Sequence, residues 1–175
     1  DFSELRPAGK RLKGYGWLSS GWKPLEKALV RICQLLIEAS GRTLSAIEIG
    51  DIVNHLGTVL SSRRSAQIWL HDAGAPMENE FVTAKIGRYE NGNEHREQSN
   101  NSLMFWEKPA KSRVVELLHT ILEGGEPGFI NAAEAKRRAP DFEGGNPCFE
   151  VLLPSYGVCN LVQVVWHRFN GNIEG

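Results

Sequence analysis

Apolar residues recur through Leu25, Leu29, Ile32, Leu35, Leu36 and Ile37, the three-and-four interval that lines one face of a helix. Pro24 suits the first turn of that helix and Gly41 supplies its stop. Cys33 falls inside it among apolar neighbours and is expected to be a small buried hydrophobe. Ser45 followed by Glu48 is a capping-box pattern, predicting a second helix that runs to about Gly57. The two helices are expected to form a hairpin packed on a sheet. "SAQIWL" (65–70), behind the basic pair Arg63–Arg64, reads as a buried strand, and "SLMFW" (102–106) as another. Between them "NEFVTAKIG" predicts a short helix and "YENGNEHREQSNN" a polar loop. "AKSRVVELLHTILEGG" is an amphipathic helix with a glycine stop, and "GFINAAEAKRR" a short strand or turn followed by a helix. "NLVQVVW" (160–166) is a β-branched strand. Helices alternating with short buried strands predict an α/β fold with a largely parallel sheet. The first 22 residues show no period and hold four glycines, which predicts a long loop, either functional or a disordered terminus.

Length and composition narrow the classes. A chain of 175 residues suits one domain with a real core. A formal net charge of −1 carries no nucleic-acid footprint. No apolar run approaches the ~18 residues of a membrane span, and "DFSELRPAGK" has no signal-peptide pattern. The three cysteines are therefore expected in a reducing cytoplasm, where a cysteine pair is more often metal-binding or catalytic than a structural disulfide. The chain opens on Asp1 and stops on "FNGNIEG", and is expected to be a piece of a longer protein.

Most site chemistries find no anchor. Cys148 and Cys159 are too far apart for a CxxC knuckle, and the five histidines lack HxxxH or HxH spacing, so no metal site is expected. "GEPGF" and "GGNPC" match neither a P-loop nor a dinucleotide fingerprint, and no G-x-S-x-G elbow is present. What stands out is "NPCFE". Side chains of an extended segment alternate faces, so Asn146, Cys148 and Glu150 would form one row of amide, thiol and carboxylate. Such a row could hold a diol, with the carboxylate taking a hydroxyl proton and the thiol over the carbon between. The alternative is a turn at Asn146–Pro147 with Cys148 buried and Glu150 solvated.

"NPCFE" followed by "CNL" (159–161) closely resembles the finger loop of the adenosylcobalamin-dependent, class II ribonucleotide reductases, in particular the monomeric type acting on ribonucleoside triphosphates. "DFSELRPAGKRLKGYGWLSSG", "DIVNHLGTVLSSRRSAQIWL", "SNNSLMF" and "GEPGFIN" fall in the family's order as well. The resemblance implies one partial domain, 1–175, of a ten-stranded α/β barrel: an effector and substrate specificity loop (1–22), helices and barrel strands (23–140), and the finger loop (141–160). It implies that Cys148 is the thiyl radical site, Glu150 the base for the 3′-hydroxyl, Asn146 a holder of ribose hydroxyls and Cys159 one of two reducing cysteines. Arg6, Lys10 and Lys13 would serve the specificity loop by touching phosphates or a base. Adenosylcobalamin is the implied cofactor. A ribonucleotide substrate, a deoxynucleotide effector, a thioredoxin-like reductant and the remainder of the barrel are the implied partners, with no nucleic acid and no membrane. A related reductase with another radical source and a non-catalytic nucleotide-binding remnant are the alternatives. Phe149 stands where the family often has glycine, which implies altered packing rather than lost chemistry.

Overall fold

The computed structural model describes residues 1–14, 16–59 and 67–160. Three parallel strands form its main sheet in the order β1-β2-β3: Gln67–Asp72, Ser99–Phe105 and Gly128–Asn131. β2 is central, pairing Gln67 with Ser99 on one side and Ser102 with Gly128 on the other. The connection from β1 to β2 carries helix α3 (Glu78–Thr83) and a short 3-10 helix (Glu94–Gln98), and that from β2 to β3 carries α4 (Lys111–Gly124). Helix crossovers between parallel strands are what the alternating pattern requires. The fold is thus α/β with a parallel sheet. The predicted strand at 160–166 and the Arg63–Arg64 pair lie outside the described residues, apart from Asn160.

α1 (Lys23–Glu38) and α2 (Ala46–Gly57) form the expected helical hairpin. The Ser45 hydroxyl accepts from the Glu48 N–H (3.2 Å), and Glu48 accepts from the Ser45 N–H (2.8 Å). Two donors that the helix start leaves without partners are satisfied by that exchange. Arg42 holds the same carboxylate through both guanidinium nitrogens. Cys33 is exposed, which corrects the buried reading. The face turned inward carries Ala28 and Ile32, and one further residue rotates the helix by about 100°, away from the contact. Leu29, Val30, Leu36 and Ile37 on α1 and Ile49, Val53 and Leu56 on α2 are exposed too.

The core gathers Phe81 and Val82 from α3, Leu103 from β2 and Leu117 from α4, with Ile47, Trp69 and Phe105 against them. α2 reaches β1 at Gly50, where an added Cβ would stand 2.3 Å from the Trp69 ring. Trp69 itself meets Phe81 edge-on at 5.3 Å. Gly50→Ala is therefore expected to destabilise the protein by about 2–3 kcal/mol through overpacking, read as a lowered denaturant midpoint. Gly50→Ser should cost at least as much.

Behind this contact sits a buried charge cluster. Asp51 takes Arg96 Nε and Nη2 at 2.6 and 2.7 Å and His95 Nε2 at 2.8 Å. The bidentate fork matches carboxylate geometry, and ties α2 to the 3-10 helix. Arg96 also donates to the Ala84 carbonyl at 2.6 Å. His55 stacks on His95 with ring centroids 3.8 Å apart.

β2 begins earlier than its apolar pattern predicts. Ser99, Asn100 and Asn101 read as loop because they are polar, yet they form the first half of the strand, and Ser99 and Asn101 are buried. Buried polar groups are tolerated when their hydrogen bonds are made. Here the Ser99 hydroxyl donates to Asn101 Oδ1 (2.8 Å), Lys85 Nζ donates to the Ser99 carbonyl, and Glu126 accepts from the Asn101 N–H (2.9 Å). Lys85 and Glu126 are themselves paired at 2.8 Å.

The described residues of 1–22 form no regular helix or strand, but they are not structureless. A β-bridge joins Arg11 to Leu18, flanked by Gly9 N–H to Ser19 O, Ser19 N–H to Lys10 O and Leu12 N–H to Trp17 O at 2.6–2.9 Å. Glycines hide this hairpin from any strand-period reading.

Candidate active-site loop

Helix α5 (Ala132–Arg138) leads into a second, two-stranded sheet, β4 (Gly144–Gly145) antiparallel to β5 (Leu152–Leu153). Residues 146–151 form the loop between those strands, and this loop carries the "NPCFE" motif. Its base is held from α5: Lys136 Nζ donates to the Phe142 carbonyl at 2.8 Å and pairs with Glu143 at 3.3 Å. Phe142 is buried and receives the Phe149 ring edge-on at 6.0 Å. Gly145 lies directly under that ring, where a Cβ would come within 2.6 Å of it.

The loop turns sharply. The Phe149 N–H donates to the Asn146 carbonyl at 2.8 Å, closing a turn across Pro147 and Cys148. Phe149 has φ +59°, in the left-handed region. That region favours glycine, and the Phe142 contact is what holds a bulky side chain there. The single extended row of Asn146, Cys148 and Glu150 is therefore not what forms. The Asn146 side chain is buried and its Oδ1 accepts from the Val151 N–H at 3.1 Å, while Cys148 and Glu150 are exposed. The turn alternative holds for the backbone and for Glu150, and fails for Cys148. Pro147 sets the turn and the internal bond to Val151 keeps it, so backbone hydrogen bonding overrides the alternation.

The loop thus presents a free thiol and a carboxylate outward, two residues apart, on a base fixed by an internal amide. Cys159 is a second free thiol, half-buried and beyond β5. Arg6, Lys10 and Lys13 are exposed on the N-terminal hairpin rather than on this loop. Asn100, which the sequence reading passed over as loop, donates from Nδ2 to the Pro147 carbonyl at 2.5 Å. With β2 beginning at Ser99 and with Ser99 and Asn101 buried on one face, strand alternation puts Asn100 on the other, a placement that the polar run hides in the sequence. Among the described residues no group of three or more His, Cys, Asp or Glu side chains could hold a metal ion.

The loop's geometry leaves its chemistry open, and comparison with known proteins shows what the chain is similar to. The adenosylcobalamin-dependent ribonucleoside-triphosphate reductases of Lactobacillus gasseri and Lacticaseibacillus paracasei are each 34% identical to this chain over 178 aligned residues, 94% of it. That of Lactobacillus leichmannii is 32% identical over the same share. The chain is homologous to a segment of these reductases. It spans 23% of the length of the relatives it matches. No protein-family model matches the chain, and no solved structure does. No described helix is long and apolar enough to cross a membrane. Among the described residues the Cys148 loop presents a thiol and a carboxylate outward, and β2 and α5 are the elements that position it.

Proposed function

We propose that the chain is the central catalytic part of a ribonucleotide reductase that converts ribonucleoside triphosphates to 2′-deoxyribonucleotides, with Cys148 as the reacting thiol. The observation that carries this reading is an exposed, free Cys148 at the tip of an anchored hairpin, in a chain homologous over nearly its whole length to reductases named for this activity. Adenosylcobalamin, when bound, supplies the radical equivalent that removes the thiol hydrogen. The chain's own donor set fits that chemistry, because the thiol faces outward and is reachable from outside the segment. The groups that hold the cofactor are assigned to the remainder of the barrel.

The Cys148 thiyl takes the 3′-hydrogen of the ribose, forming S–H and leaving a carbon radical at C3′. Glu150 accepts the 3′-hydroxyl proton, and the 2′-hydroxyl leaves as water with a proton from a thiol of the reducing pair. That pair, Cys159 and a second cysteine outside this segment, supplies two electrons and two protons, one to the water and one to C2′, and ends as a disulfide; Glu150 returns its proton to the 3′-oxygen and Cys148 the hydrogen to C3′. A thioredoxin-like dithiol would reset the pair by exchange. With Asn146 Oδ1 committed to Val151, its amide N–H₂ is the end left to address a ribose hydroxyl. Arg6, Lys10 and Lys13 would relay a deoxynucleotide effector to the substrate base. The exposed apolar faces of α1 and α2 support a larger barrel around the segment, since patches of this kind mark surfaces that are covered in the assembly. A cytoplasmic setting follows from the need for free thiols.

The test is deoxynucleotide formation by the full-length protein from ribonucleoside triphosphates and a dithiol. Product is expected only when adenosylcobalamin is added. Product that instead required an added iron- or manganese-bearing subunit would reject the cofactor reading.

A further inference from the structure

We infer that Asn100 is a positioning residue for the Cys148 loop, setting the position of the thiol through a side-chain bond from the central strand of the main sheet. The inference rests on the reading of Cys148 as the reacting thiol. Asn100 Nδ2 donates to the carbonyl of Pro147, the residue immediately before Cys148, at 2.5 Å and across 47 residues of sequence. The other fastenings at the top of this loop are its own: Phe149 N–H to Asn146 O and Val151 N–H to Asn146 Oδ1. Those internal bonds fix the shape of the turn but not its place relative to the sheet. The Asn100 bond ties it to β2.

The anchor itself is held on both sides. Asn100 is paired with Ile68 of β1. Its predecessor, Ser99, receives Lys85 Nζ at the carbonyl, and its successor, Asn101, gives its N–H to Glu126, the partner of Lys85. The Ser99 hydroxyl closes the set on Asn101 Oδ1. With the flanking residues clamped on the buried face, Asn100 projects from the opposite face along a fixed direction. The carbonyl of a proline accepts and never donates, so only an amide or another donor at position 100 can make this bond. Radical hydrogen transfer requires the reacting atoms at near-attack separation, and an ångström of misplacement costs about a hundredfold in rate.

The experiment compares Asn100→Asp, Asn100→Ala and Asn100→Gln in the full-length protein, with Cys148→Ser beside them. Asn100→Asp preserves volume but replaces the donor with an acceptor facing a carbonyl. It is expected to lower kcat by roughly ten- to a hundredfold with KM for the nucleotide unchanged. Asn100→Ala should behave alike, and Asn100→Gln, which retains the amide donor, should recover part of the loss. Independently of activity, hydrogen exchange at the Phe149 and Val151 amides should quicken in Asn100→Asp and Asn100→Ala, while the amides of β1 and β3 keep wild-type protection. Wild-type kcat in Asn100→Asp, with Cys148→Ser inactive, overturns the inference and leaves the reading of the loop standing. Exchange that quickens across all three strands also overturns it, by assigning Asn100 a general structural role. An active Cys148→Ser overturns the underlying reading instead.

Discussion

Cys148→Ser in the full-length protein is expected to reduce ribonucleotide turnover to background while leaving stability within about 0.5 kcal/mol of wild type. The two halves of this expectation have separate causes. Serine is nearly isosteric with cysteine and suits the turn closed by the Phe149 N–H, and Cys148 is exposed, so packing hardly changes. The chemistry changes completely, because an O–H bond is much stronger than an S–H bond and a hydroxyl cannot relay a carbon-centred radical. Glu150→Gln should be severely impaired by a different route, since on the proposed reading it removes only the proton acceptor. Deoxynucleotide yield per enzyme and the thermal midpoint, measured on the same preparation, check both halves. An active serine variant would overturn the proposed role of Cys148.

Asp51→Asn is expected to be the most destabilising single change, by roughly 3–5 kcal/mol, because it leaves the charge of Arg96 buried without its partner. The Asp51 and Arg96 side chains are only 8% and 13% exposed, so water cannot replace the lost carboxylate. Native-state hydrogen exchange along α2, together with the denaturant midpoint, would measure the loss. The effect should depend on pH with a defined sign. Burial raises the Asp51 carboxyl, but the hydrogen bonds from Arg96 and His95 outweigh it and hold the group below the usual carboxylate value. A folded value below the unfolded one gives stability that is full above about pH 4. That stability is lost as pH falls through the folded value. Burial, with His95 beside it, lowers His55 to about 4. Its unfolded value is near 6.5, so neutral His55 contributes full stability above that pH and loses it progressively down to about 4. Acidification should therefore weaken this corner in two stages, His55 first and Asp51 below it. Asp51→Asn should abolish the second stage, and the gap between variant and wild type should narrow in strong acid.

Local rules were legible where the physics was local. The capping box at Ser45 and Glu48, the glycine stop of α4 and the alternation of helix with strand need only neighbouring residues, and each reads directly from the chain. Polarity misled at Ser99–Asn101, because those side chains are satisfied by Lys85 and Glu126, which lie far along the chain. Cys33 was misread because apolar neighbours in sequence do not say which face of a helix meets its partner. The N-terminal hairpin left no period because its cross-strand bonds run between glycine-rich arms.

At the Cys148 loop the division is sharpest. The residue types and their order, amide, thiol and carboxylate around a proline, are properties of the sequence, and together with the motifs along the rest of the chain they carry the resemblance to the reductases. Whether those groups stand in a row was decided by the fold. Asn146 turns inward to Val151, Phe149 is pinned on Phe142 in a glycine-like conformation, and Asn100 ties the turn to β2. Each of those contacts, except the bond from Asn146 to Val151, joins residues that are distant along the chain or adds a constraint beyond local preference. Spacing alone carries no information about them, because alternation describes an unbonded extended strand and the loop's hydrogen bonds remove that condition.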